Sequence, residues 1–171
     1  IALGVSDYVV TEAGFGADMG AEKMMHIKAA ASGIAPDCVV VNVTVRSMKM
    51  HGGGFSTGGG KRPRPEEIAK ENLEAVRAGA STNMARHIRN MSRFDVPVIA
   101  SVNVFPTDTD AEIDILLEEA LEAGAASAVV SRVHSGGGEG GAELARAVVT
   151  ACQSHIAEGR PFDPLFAPNA P

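Results

Sequence analysis

The sequence predicts an α/β fold: a wound, mostly parallel sheet with helices on both faces. Three observations carry that reading. Four short runs are rich in Val, Ile and Ala and lack strict apolar/polar alternation, as strands covered on both faces do. Between them lie stretches whose apolar residues recur three and four apart, the period of an amphipathic helix. Each run then leads into a glycine-bearing or polar turn, so that strand, turn and helix alternate along the chain.

Taken in order, residues 8–11 are the first expected strand and residues 19–32 the first helix. The second strand is expected over 38–45, opened by Cys38, which reads as a small buried hydrophobe. Residues 52–60 are glycine-rich and are followed by Lys61, Arg62 and Arg64, which predicts a mobile surface loop. Residues 65–93 read as helical, with a kink or a break expected at Gly79 and Ser81-Thr82-Asn83. The third strand is expected over 96–104 and the clearest helix over 108–123. On that helix Ile113, Leu116, Leu117, Ala120 and Leu121 share one face, and Glu112, Glu118, Glu119 and Glu122 are expected on a solvated face. Gly124 suits its C-terminal cap. A fourth strand over 126–133 and a helix over 141–156 complete the pattern. Residues 1–158 are read as one α/β segment, and the Pro-rich residues 159–171 as a poorly ordered tail. The start without Met and this tail together suggest a piece of something longer.

Composition narrows the function classes. The 171 residues are 45% hydrophobic and 21% charged, ordinary values for a globular domain with a sizeable core. A net charge of -6 argues against general binding to nucleic acid or an anionic membrane, while leaving room for a local basic site. Cys38 and Cys152 form no metal-ligand spacing, and neither zinc nor a disulfide scaffold is expected. No apolar stretch approaches the ~20 residues of a membrane span and no signal-peptide pattern opens the chain, so a cytoplasmic setting is expected.

Ligands of open α/β sheets bind at the carboxyl ends of the strands, so the four turns are the candidate site. The first holds Gly14 and Gly16 ahead of a helix, either an anion cradle or a close helix–strand packing contact. The second carries Arg46, Lys49 and His51, which are potential donors to phosphate or carboxylate, or else ordinary surface charges. The third is Asn103-Val104-Phe105-Pro106-Thr107-Asp108-Thr109. Phe105 lies beyond the apolar run and suits stacking on a flat heterocycle; the plainer alternative is a strand followed by a helix N-cap at Thr107 or Thr109. The fourth runs from His134 through Gly136, Gly137 and Gly138, where glycines permit close backbone approach to a ligand. His134 is either a titrating or stacking group or an exposed loop histidine. His26, His87 and His155 lie inside helical patterns without ligand spacing and are expected to be structural.

These motifs together resemble one family, formate–tetrahydrofolate ligase. The matching stretches are residues 7–18, Gly20-Ala21-Glu22-Lys23, Thr44-Val45-Arg46, Lys49-Met50-His51-Gly52-Gly53, Glu71-Asn72-Leu73, Val96-Pro97-Val98, Asn103, residues 105–109 and Gly137-Gly138-Glu139-Gly140. They occur in the family's order over nearly the whole chain. The resemblance implies a P-loop-NTPase-like architecture and ATP-dependent ligation of formate to tetrahydrofolate through formyl phosphate, within one-carbon metabolism. It implies Mg2+ and a monovalent cation (K+ or NH4+) as cofactors, and a homo-oligomer for the full-length enzyme. Phe105 and Pro106 would form one wall of the pterin site, with Asp108 beside it. His134 stands where the family carries an opposing tryptophan. Gly14, Gly16, Arg46, Lys49, Gly137 and Gly138 would serve nucleotide or phosphate, and no metal ligand or catalytic base is assigned. The sequence departs from the family in a longer glycine-rich stretch at 52–65 and in having no Gly-Lys-Thr phosphate loop. The chain alone is therefore expected to be inactive. The alternative is a truncated or diverged nucleotide- or pterin-binding domain without turnover.

Overall fold

A computed structural model of the chain describes residues 1–55 and 63–166. The expected loop over 52–60 thus falls largely outside the described residues, as does the end of the tail. The described chain forms two compact units, one of residues 1–35 with 164–166, the other of Pro36–Asp163.

In the first unit, backbone turns of i→i+5 width run over Gly16–Ala21 and Met24–Lys28 and lead into α1 (Ala29–Ser32), which Gly33 closes in the left-handed region. Residues 8–11 are not a strand, contrary to the sequence expectation: they belong to no sheet of the described residues, and Val10 is 88% exposed. Four β-branched or aromatic residues in a row favour an extended backbone, but a strand exists only where a neighbour completes its ladder.

The second unit carries the sheet. Strands β1 (Val39–Val43), β2 (Val98–Asn103) and β3 (Ser127–Ser131) pair in parallel in the order β1-β2-β3. Val39 lies opposite Val98, and Asn103 opposite Ser131, so all three carboxyl ends share one edge. Between β1 and β2 run α2 (Val45–His51), α3 (Pro65–Ala69), α4 (Leu73–Gly79), a wide turn over Ala80–Met84, and α5 (Ala85–Ser92). α6 (Asp110–Glu122) joins β2 to β3, and α7 (Val133–Gly140) and α8 (Ala142–Glu158) follow.

The expected single helix over 65–93 is thus broken twice. Asn72 caps α4 by accepting the Ala75 N–H at 3.0 Å, which starts a new helix three residues after α3 ends. The second break falls where the sequence places it: Thr82 Oγ1 and Ser81 Oγ both donate to the Ala78 carbonyl, at 2.6 and 3.3 Å, and loosen the backbone ladder. Gly79 has a separate reason to be glycine. A Cβ there would run into the Met48 carbonyl of α2, and one at Gly52 into the Ala75 carbonyl of α4, so the two helices cross backbone to backbone.

Each face of the sheet has its cover. Val98, Ala100 and Val102 of β2 are at most 1% exposed, as are Leu116 of α6 and Ile88 and Met91 of α5. On the opposite face Ile99 and Val129 pack with Ala151 of α8, and Cys38, Leu144 and Ala147 close around them. After α8, Phe162 stacks on Phe94 at 5.8 Å, and Arg160 pairs with Asp95 at 2.6 Å.

Candidate ligand site at the strand tips

The site is built where β1, β2 and β3 end. β2 runs out at Asn103, and the Val104 N–H still donates to the Ser131 carbonyl of β3 at 3.2 Å. The chain then folds into a closed turn: the Asp108 N–H donates to the Phe105 carbonyl at 3.0 Å, and the Phe105 N–H donates to Asp108 Oδ2 at 2.8 Å. Pro106 presets the backbone at the second position of such a turn. Thr109 then caps α6 reciprocally with Glu112, both bonds being 3.3 Å, so the plainer alternative weighed for Thr109 is present together with the aromatic turn.

The geometry leaves Phe105 half-buried, with Pro106 and Thr107 exposed beside it. From the tip of β1, Arg46 reaches over the turn and sets its guanidinium carbon 4.8 Å from the centre of the Phe105 ring. α2 is aimed by its own cap, in which Ser47 N–H donates to Thr44 Oγ1 at 3.1 Å. Arg46 and Lys49 stand three residues apart on α2 and therefore share a face. Lys49, however, goes inward. Its Nζ lies 2.7 Å from Glu112 Oε1 and donates to the Ile68 and Lys70 carbonyls at 3.1 and 2.9 Å. Three donors meet three acceptors, and Lys49 is 1% exposed. So placed, Lys49 has no donor left for an anionic ligand.

Glu112 and Glu119 correct the expected solvated acidic face of α6. Glu112 is fully buried, its Oε1 also accepting the Asn72 N–H at 2.8 Å, and Glu119 is buried against Arg77 at 2.6 Å. Leu121, expected on the apolar face, is 54% exposed. Helical periodicity alone gives no account of charges that find partners on another helix. The Thr109-x-x-Glu112 spacing was the one sequence signal that Glu112 is engaged, and nothing local pointed to Lys49 as its partner.

Asp108 has a carboxyl pushed above its ordinary range, chiefly by burial; the Phe105 N–H and the nearby charges of Lys49 and Arg46 pull the other way. The Cys38 thiol is pushed up to about 12 by burial and by its neighbours Cys152 and Asp37. Cys38 is part-buried rather than fully buried, packed against the Ile99, Val129 and Ala151 cluster.

The remaining candidates lie on other segments. His134, Gly137 and Gly138 lie on α7, which leaves the tip of β3 beside β2, and all three are exposed. Gly137 breaks that helix at φ 56°, ψ -142°, and a Cβ at Gly137 or Gly138 would meet open space, so no backbone cradle is closed around them. Gly14 and Gly16 belong to the first unit, where a Cβ on Gly20 would strike the Gly14 backbone. That close approach joins the turn to the helical turn that follows it, with no strand of the described residues involved. Among the described residues no group of three or more His, Cys, Asp or Glu side chains gathers to hold a metal ion.

A family model described as formate–tetrahydrofolate ligase matches residues 1–171. A formate–tetrahydrofolate ligase of Desulforamulus reducens is 52% identical over 153 residues, covering 90% of this chain and 27% of that protein. One of Roseobacter denitrificans is 47% identical over 170 residues, covering 99% of this chain and 28% of its own length. The cytoplasmic C-1-tetrahydrofolate synthase of Schizosaccharomyces pombe is 44% identical over 153 residues, 90% of this chain and 16% of that protein. The chain spans about a quarter of the length of the bacterial relatives it matches.

Proposed function

The chain belongs to the formate–tetrahydrofolate ligase family, and we propose that it supplies the tetrahydrofolate side of an enzyme that joins formate to tetrahydrofolate at the expense of ATP. The observation that carries this reading is the Phe105 ring. It is half-buried beyond the end of β2, fixed by a doubly hydrogen-bonded turn, and capped by a guanidinium rather than swallowed by the core. A flat aromatic face held that rigidly at a sheet's carboxyl edge is a stacking platform for a pterin.

In this reading Phe105 and Pro106 form one wall, and His134, from the tip of the adjacent strand β3, the other. Asp108 acts through its bond to the Phe105 N–H. Arg46 offers its charge to an anionic part of a ligand, either the folate's carboxylate tail or a phosphate. Gly14, Gly16, Gly137 and Gly138 remain proposals for nucleotide contact. ATP supplies the phosphate that activates formate. The chemical contribution of this chain is orientation: stacking fixes the folate amine so that it meets the formyl carbon as phosphate departs. With its ammonium committed to Glu112 and to the Ile68 and Lys70 carbonyls inside the protein, Lys49 takes no part in phosphate transfer.

No helix of the described residues is long and apolar enough to cross a membrane. Small-molecule substrates, a cytoplasmic setting and a homo-oligomeric full-length enzyme complete the proposal. Steady-state kinetics of Phe105→Ala in a full-length ligase tests it: the Michaelis constant for tetrahydrofolate should rise with those for ATP and formate little changed. An unaltered constant for tetrahydrofolate removes Phe105 from the site.

A further inference from the structure

We propose that the buried Lys49–Glu112 pair positions Phe105 for the folate by tying the tip of β1 to the tip of β2. The inference rests on the reading of Phe105 given above. The burial of this pair is energetically odd. Lys49 and Glu112 are 1% and 0% exposed, and two charges so placed lose hydration that their attraction hardly repays. An apolar pair of the same volume would hold the fold about as well. What the ion pair adds is direction.

That direction can be followed atom by atom. Lys49 Nζ holds Glu112 Oε1 at 2.7 Å and the carbonyls of Ile68 and Lys70, and the same Oε1 takes the Asn72 N–H. The other carboxylate oxygen, Oε2, accepts the Thr109 N–H at 3.3 Å. Thr109 is bonded directly to Asp108, whose Oδ2 holds the Phe105 N–H at 2.8 Å. A shift of the Glu112 carboxylate therefore moves the cap, the turn and the ring in sequence. The other end of the tie matters equally. Lys49 sits one helical step from Arg46, so anchoring Lys49 also sets how Arg46 lies over the ring. Lys49 and Glu112 touch no substrate in this arrangement; both are positioning residues.

The test uses a full-length ligase and four variants, two at the pair, Phe105→Ala, and Phe105→Ala combined with Glu112→Asp. Glu112→Asp keeps the charge and withdraws the carboxylate by one methylene; Lys49→Met with Glu112→Gln removes both charges. Each should raise the Michaelis constant for tetrahydrofolate about tenfold, roughly 1.4 kcal/mol, and leave those for ATP and formate within about twofold. In a Phe105→Ala background the Glu112→Asp effect on tetrahydrofolate should vanish, because the group being positioned is gone. A purely structural pair would give additive losses there. The proposal is overturned if either variant folds with a normal constant for tetrahydrofolate. It is also overturned if all three constants move together, or if both variants fail to fold, since the pair would then act on stability alone. Should Phe105→Ala itself leave the constant for tetrahydrofolate unchanged, the reading of Phe105 falls first. An effect of Phe105→Ala with a silent Glu112→Asp removes only the positioning role.

Discussion

Replacing Lys49 by Met exposes how much the junction behind the strand tips depends on one ammonium group. The substitution keeps most of the aliphatic stem and deletes three contacts, to Glu112 at 2.7 Å and to the Lys70 and Ile68 carbonyls at 2.9 and 3.1 Å. It leaves a carboxylate with no exposure and no counter-charge. Orphaning one member of a buried pair costs about 3–5 kcal/mol, a large part of the ~5–15 kcal/mol by which a domain is stable. At ~2–4 °C per kcal/mol for a chain of this size, the melting temperature should fall by roughly 6–20 °C. Urea and thermal unfolding followed by far-UV circular dichroism measure this. Adding Glu112→Gln should recover much of the loss, because the uncompensated charge is then gone. A loss below about 1 kcal/mol for Lys49→Met would refute the reasoning, since it would mean that Lys49 and Glu112 are hydrated in solution.

Three further predictions concern the surrounding framework. Asp108→Asn keeps an acceptor for the Phe105 N–H while removing a carboxyl whose ionisation burial disfavours. With its folded pKa raised, Asp108 favours folding below its unfolded pKa and loses that contribution as pH rises through the folded value. Asp108→Asn should therefore be the more stable protein at pH 7, its advantage shrinking as pH falls towards the ordinary aspartate range; denaturant titrations at several pH values check the sign. Gly79→Ala places a methyl against the Met48 carbonyl where α2 and α4 cross, and should cost about 1–3 kcal/mol in the same unfolding assay, against a gain expected at an open helical glycine. Cys38, its thiol pushed up to about 12, should resist alkylation at pH 8 in the folded protein and react promptly in denaturant, as mass spectrometry would show.

Element type was legible wherever periodicity was long or capping chemistry explicit. The helix after β2 is fixed by Thr109 and Glu112 at one end and by Gly124, at φ 98°, at the other. The parallel order of the strands follows from strand–helix alternation, and the break near Gly79 from Ser81 and Thr82. Residues 8–11 misled because a strand needs a neighbour, which composition cannot supply. At the site, Phe105 stood out as an aromatic past the end of an apolar run, and the structure leaves it half-buried beneath Arg46. Lys49 was legible only as a charge. That it turns inward depends on Glu112, far along the chain, and on two carbonyls freed where α3 stops short of α4.

The most direct measurement is equilibrium binding of tetrahydrofolate to a full-length ligase with and without Phe105→Ala. Loss of an aromatic stacking partner, worth about 0.5–1.5 kcal/mol, should weaken the dissociation constant by roughly 2–12-fold while ATP binding holds. Equal affinity for tetrahydrofolate in the two proteins would contradict the account.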